Sequence, residues 1–438
     1  MIKLLIISLF INNLSLSFAT QNDITSADIS QRKTSSLIYL KKNLGPKGTH
    51  HPAFVIASPS KAEPDYFFHW VRDAALTMLA LMQTIPQSDW NTYLKPFAEL
   101  EIIHQNDPAN LVGLGEVKYN PSGEAFTGPW GRPQNDGPAL RVITFGLWAL
   151  DLLKSKNPSI SDIKFLKEKI YRAELPATTL IKKDLEYIAT QLENPSFDLW
   201  EEVLGQHYFT KMAQLQAMIV GSKLAEELND PFAATFYTEQ AIKLISLIKK
   251  HYSSEREYIL SNIDPTHDEK NRTKNLDASV IIAWNLWKPI TKEIPLINFP
   301  FLAQFLATEK KLISKTALKL EEEFKNLYVI NQKNPGSSAI GRYPEDVYFG
   351  GHPWFITTLA LAEFYCHQNN TQNKMSEKEL NYISTVHRHM NQSTFQMDEQ
   401  FSKDHGHMLS AVDLTWSYAA YLTYAKCALQ DDLKKLKN

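Results

Sequence analysis

Glycine is scarce in this chain, at 16 of 438 residues, roughly half of average usage. So few permissive residues make a many-turned β-sandwich or a glycine-rich, nucleotide-cradling α/β fold a poor candidate, and a helical fold is expected. An excess of one charge is also missing. Lysine and arginine total 46 against 48 acidic residues, a formal net charge of -2. That balance excludes a strongly basic nucleic-acid protein and gives no reason to expect an acidic tail. Beyond the N-terminus no stretch approaches the ~20 apolar residues that a spanning helix needs. No Pro/Ser/Thr-rich linker or low-complexity tract marks a domain boundary. Cysteine occurs twice, at Cys366 and Cys427, each in an apolar helical pattern. The pair forms one bridge in an oxidising compartment or stays as two buried thiols; both readings are open.

What is present points to a large core, with 44% hydrophobic and 21% charged residues. Length alone, at about 150 residues per domain, suggests two or three domains. The first residues carry one positive side chain (Lys3), an apolar run from Leu4 to Phe10, and the small-x-small pattern Ser17-Phe18-Ala19. Residues 1–19 therefore read as a signal peptide cut after Ala19, being too short for an anchor. Export is expected, to the medium or a periplasm. Triplets that fit glycosylation begin at Asn271, Asn369 and Asn391.

Helical periodicity covers 74–85, 139–154, 165–173, 180–192, 208–228, 231–251, 277–287, 299–307, 316–327, 354–367, 377–390 and 411–429, with no convincing alternating strands. An even count near twelve, unbroken by a linker, suits a closed toroid of helical hairpins. The length prior is overruled, and 20–438 is read as one domain.

Five segments between these helices pack aromatic, arginine and carboxylate residues together: YFFHWVRD (66–73), FTGPWGRPQNDG (126–137), FDLWEE (197–202), GRYPED (341–346) and MDEQF (397–401). A tryptophan face is a platform for a sugar ring, forked charged groups satisfy its hydroxyls, and two carboxylates can cleave a glycosidic bond. Singly, each segment is more often packing with a structural ion pair, and Glu201-Glu202 a solvated helix start. Five together are explained by one carbohydrate-binding mouth.

These segments, with WGRPQNDGPALR, DLWEEV, the Pro-Trp-Phe after GRYPED and DLTWSYAA (413–420), resemble the signatures of the glucoamylases, glycoside hydrolase family 15, from Tyr66 to Tyr424. The resemblance implies an all-α (α/α)6 barrel. It also implies exo-acting, inverting release of β-glucose from the non-reducing ends of α-1,4 and, more slowly, α-1,6 glucans such as soluble starch, dextrins, glycogen and maltose. By the same resemblance Glu201 is the general acid, Glu202 a ligand of a sugar hydroxyl and Glu399 the general base. Arg72, Asp73 and Arg342 hold the first sugar, Tyr66 lies near the developing oxocarbenium ion, and Trp130 is the next platform. Trp70, Trp200, Asp346 and Trp354 belong to the same mouth. Burial against Trp200 and the charge of Glu202 are expected to raise the pKa of Glu201, with Glu399 ionised in a polar setting.

The chain stops at Asn438 without the linker and starch-binding domain that family members often carry, so raw granular starch is not an expected substrate. His405-Gly-His407 has no counterpart in the family pattern. Neither it nor His50-His51 nor His387 with His389 is a zinc-hydrolase pair, and no metal or cofactor is expected. A monomer is expected, with no nucleic-acid or membrane partner. The rival readings are another inverting α-glycosidase acting on dextran or trehalose, a non-catalytic glycan-binding protein, and a helical solenoid. The last would show repeats, which are absent.

Overall fold

In a computed structural model, residues 24–268, 272–334, 336, 338–369 and 375–435 are described. The expected signal segment and the Asn271 triplet's first residue lie outside them. Six helices form an inner ring: α2 (Val71–Thr84), α4 (Asp136–Lys154), α6 (Tyr208–Glu227), α8 (Ser279–Asn285), α11 (Phe355–Gln368) and α13 (Thr415–Lys435). Each packs on the next, and α13 packs on α2, so the ring is closed. Burial on all faces is what such a position demands of a helix. Of the 14 residues of α2, the twelve from Val71 to Met82 are buried.

The outer helices alternate with these in sequence: α1 (Ser26–Lys42), α3 (Trp90–Gln105), α5 (Leu180–Gln191), α7 (Pro231–Ile248), α10 (Pro300–Leu327) and α12 (Glu377–His389), with the short α9 (Trp287–Glu293) extending α8. Each buries one stripe. On α10 that stripe runs through Leu302, Phe305, Leu306, Ile313, Ala317, Leu320 and Phe324, the spacing of a single helical face. This architecture is the expected (α/α)6 barrel.

The helix count agrees with the sequence reading, but its membership does not. The segments 299–307 and 316–327 are one 28-residue helix: between them Lys310, Lys311 and Lys315 stay exposed, and the buried Glu309 accepts the Tyr208 hydroxyl at 2.7 Å. The 165–173 segment shrinks to the short helix Ile160–Phe165 and the turn Leu166–Ile170. In their place stand α1 and α3. Only Ile29, Ser36 and Leu40 are buried on α1, too sparse a pattern to read, though Thr25 and Asp28 form a capping box. Pro96 interrupts the pattern of α3.

Cys366 on α11 and Cys427 on α13 form a disulfide, which decides between the two open readings. Short ribbons tie down the loops at the top of the ring. One pairs β1 (His69–Trp70) antiparallel with β2 (Lys118–Tyr119), with His69 opposite Tyr119 and Trp70 opposite Lys118. Another pairs Gln400–Phe401 with Met408–Leu409. No helix among the described residues is long and apolar enough to cross a membrane.

Candidate active site

The loops that run from an outer helix into the next inner helix all deliver residues to one end of the barrel. There they enclose a cavity of about 890 Å³. Every residue singled out in the sequence lines it except Asp346: Tyr66, Trp70, Arg72, Asp73, Trp130, Trp200, Glu201, Glu202, Arg342, Trp354 and Glu399. Asp346 lies just behind, where its two oxygens hold Arg342 at 2.8 and 2.6 Å. Trp200, Trp354, Leu414 and Trp416 form a buried apolar part of the lining, with the Trp200 ring 5.6 Å from Trp354 and 6.4 Å from Trp416.

Glu201 and Glu202 are not a helix start. They sit on a tight turn pinned by Asp198, whose carboxylate accepts the backbone N–H of Glu202 at 2.7 Å and of Val203 at 2.9 Å. Glu201 adopts φ +67°, the left-handed region that a glutamate rarely occupies and that costs on the order of 1 kcal/mol. The two side chains consequently diverge. Trp70 Nε1 at 2.8 Å and Arg72 Nη2 at 3.0 Å donate to Glu201 Oε1, and Trp130 Nε1 donates to Oε2 at 2.6 Å. Glu202 accepts from Arg342 at 2.9 Å, from the Tyr343 hydroxyl at 2.6 Å and from Arg272. The expected neighbours of Glu201 are thus engaged elsewhere: Glu202 is held by two arginines, and the Trp200 indole donates to Asp277 at 3.0 Å.

Glu399 lies in the same lining in a different setting. Burial pushes its carboxyl up to about 7, although Ser410 and Gln400 donate to Oε2 and Arg342 acts against the rise. In place of the expected polar setting, Glu399 is buried, and that burial is what raises its carboxyl. Asp73 is likewise raised to about 7 by burial, partly opposed by Arg72. Arg72 itself spans Gln134 at 2.8 Å, Asp136 at 3.0 Å and Glu201, so its guanidinium orientation is fixed from three sides.

Several lining or supporting residues were not legible in the sequence. Tyr348 meets the Tyr66 hydroxyl at 2.7 Å. Lys118 Nζ lies 3.3 Å from the Trp130 ring centre and 4.3–4.5 Å from those of Phe68, Trp70 and Phe126, and burial lowers its pKa to about 8. Arg272 and Ser410 hold the two glutamates from behind. Only the pairing of Trp70 with Lys118 across two strands gives Lys118 its place, and no spacing announces that. His405 and His407 are outside this cavity, their rings 6.4 Å apart, while His387 is buried against Tyr421 at 2.7 Å. His389 bonds Gly406 O at 2.9 Å. The described residues bring together one group of possible metal donors, His69, Glu101 and His104.

Residues 36–380 match the glycosyl hydrolases family 15. The chain belongs to that family. It is 30% identical to a glucoamylase of Blastobotrys adeninivorans, over 88% of this chain and 68% of the relative. It is also 30% identical to a probable glucoamylase of Schizosaccharomyces pombe, over 90% and 89%. The solved glucoamylase of Saccharomycopsis fibuligera superposes with a TM-score of 0.75 at 25% identity, covering 94% of this chain and 96% of that one.

Proposed function

We propose that this family 15 enzyme removes single β-glucose units from the non-reducing ends of α-1,4 and, more slowly, α-1,6 glucans, with Glu201 as general acid and Glu399 as general base. The observation that carries the reading is one cavity with those two carboxyls on its wall in unlike settings. Inversion needs such a pair, one to protonate the leaving oxygen and one to take a proton from water on the opposite face. Glu399 has the buried position and raised pKa of a strong carboxylate base. Glu201 stands where Trp130, 39% exposed at the rim, is the partner of its outer oxygen. That oxygen is the one a glycosidic oxygen meets on entry. Its proton goes to the leaving sugar, the anomeric carbon passes through an oxocarbenium-like state, and the water activated by Glu399 closes the other face.

Arg72, Asp73 and Arg342 are assigned to the hydroxyls of the terminal glucose, with Glu202 beside them. Asp346 acts on substrate only through Arg342. Tyr66 supports the developing cation, and Trp70, Trp130, Trp200 and Trp354 supply apolar faces. Exo action is proposed from the family's activity, with the terminal glucose taken up beside Arg72, Asp73 and Arg342. Residues 20–438 are proposed to act as one monomeric catalytic unit, exported after removal of residues 1–19. The Cys366–Cys427 bridge supports export, because such bonds persist in oxidising compartments.

The exo assignment is tested by chromatography of maltoheptaose digests. The expected early products are glucose and maltohexaose alone. Early maltotriose and maltotetraose would mean internal cleavage.

A further inference from the structure

On the side of the β1–β2 ribbon away from the cavity lies a buried polar cluster that the proposed mechanism does not use. Glu101 on α3 receives His69 Nε2 at 3.0 Å and His104 Nδ1 at 3.1 Å on Oε1, and Arg141 Nη1 at 3.0 Å on Oε2. Arg141, on the inner helix α4, is forked by Asp184 on α5 at 2.9 and 2.7 Å. All five side chains are buried. The ligand atoms of the two histidines and Glu101 lie within 4.8 Å of one another, the make-up of a metal site.

The hydrogen bonds argue against a metal. The Val55 N–H donates to His69 Nδ1 at 3.1 Å, so the neutral ring carries its proton on Nε2, the nitrogen facing Glu101. That nitrogen has no lone pair to give. Arg141 occupies the other carboxylate oxygen. The cluster is a donor–acceptor network that reaches from the outer ring through the inner ring to the ribbon, and among its atoms His104 Nε2 is buried without a hydrogen-bond partner.

Its consequence follows from strand geometry. Successive side chains of a strand face opposite ways. With His69 directed at Glu101, Trp70 is directed into the cavity, where its indole N–H reaches Glu201. Tyr119, opposite His69, stacks on His104 with ring centres 3.8 Å apart, so both underside positions of the ribbon are held.

We infer that His69 is a positioning residue: its bond to Glu101 fixes the two-residue strand that aims the Trp70 indole at Glu201. The inference rests on Glu201 being the acid, which substitution of Glu201 itself decides separately. Two conservative variants separate this role from a structural one. His69→Gln keeps a donor at the reach of Nε2, while His69→Asn keeps an acceptor for Val55 and loses the reach to Glu101. On maltose, His69→Asn is expected to lower kcat about tenfold with KM within about twofold, and His69→Gln to stay within about twofold of the native kcat. Glu101→Leu, which removes the acceptor of His69 Nε2 and leaves Arg141 forked by Asp184, is the second variant should His69→Asn not fold, with the same loss expected. Native kcat in a folded His69→Asn or Glu101→Leu protein, a rise in KM alone, or an equal loss in His69→Gln would overturn the inference.

Discussion

Replacing Glu201 with glutamine is expected to lower kcat on maltoheptaose by roughly 10³-fold while KM stays within about threefold. Glutamine keeps the volume, and its carbonyl oxygen still accepts the Trp70 and Arg72 donors on the Oε1 side. The ground-state pocket therefore persists. What disappears is the proton for the leaving oxygen, and an alkoxide must then depart unassisted. A substrate whose leaving group needs no proton reports this directly. With α-glucosyl fluoride the Glu201→Gln enzyme is expected to retain most of its activity, measured as fluoride release. Equal losses on both substrates would mean that Glu201 holds the sugar rather than protonates the bond.

Glu399→Gln is expected to abolish turnover of both substrates, since activation of water is needed whatever leaves, and to raise stability near neutral pH. The sign follows from the burial of this carboxyl. Its folded-state pKa is pushed up to about 7 from an ordinary value near 4.5. Between those values the folded protein binds the proton more tightly than the unfolded chain. Stability therefore falls as pH rises through that window, and above it the ionised carboxylate costs up to roughly 3 kcal/mol. Glutamine removes that cost. The variant's melting temperature is expected to exceed the native one at pH 7.5 and to converge with it near pH 4. A variant less stable than native at pH 7.5 would contradict this. A base held at a stability cost is the usual signature of a site shaped for activity.

The residues carrying these effects differ in how plainly the sequence announces them. Glu201, Glu202 and Arg342 sit in strings whose aromatic, arginine and acid content has no better common explanation than a sugar pocket. Ser410 and Arg272 have none, because their role is to meet Glu399 and Glu202 across a hairpin and across a loop. The side-chain contacts of Glu201 are hidden for a related reason. Adjacency in sequence suggested that Glu202 and Trp200 would act on it, but the left-handed turn at Glu201 sends the neighbouring side chains apart. For the fold, fully buried inner helices such as α2 read clearly, whereas α1, with three buried positions, depends on its neighbours for stability and leaves little trace.

Inversion by Glu201 and Glu399 is tested most directly by the anomeric form of the first product. Proton NMR of maltoheptaose with the mature chain, recorded before mutarotation equilibrates the sugar, is predicted to show β-glucose first and α-glucose only as it equilibrates. α-Glucose as the first product would mean retention, with a covalent intermediate, and would contradict the assignment of both glutamates.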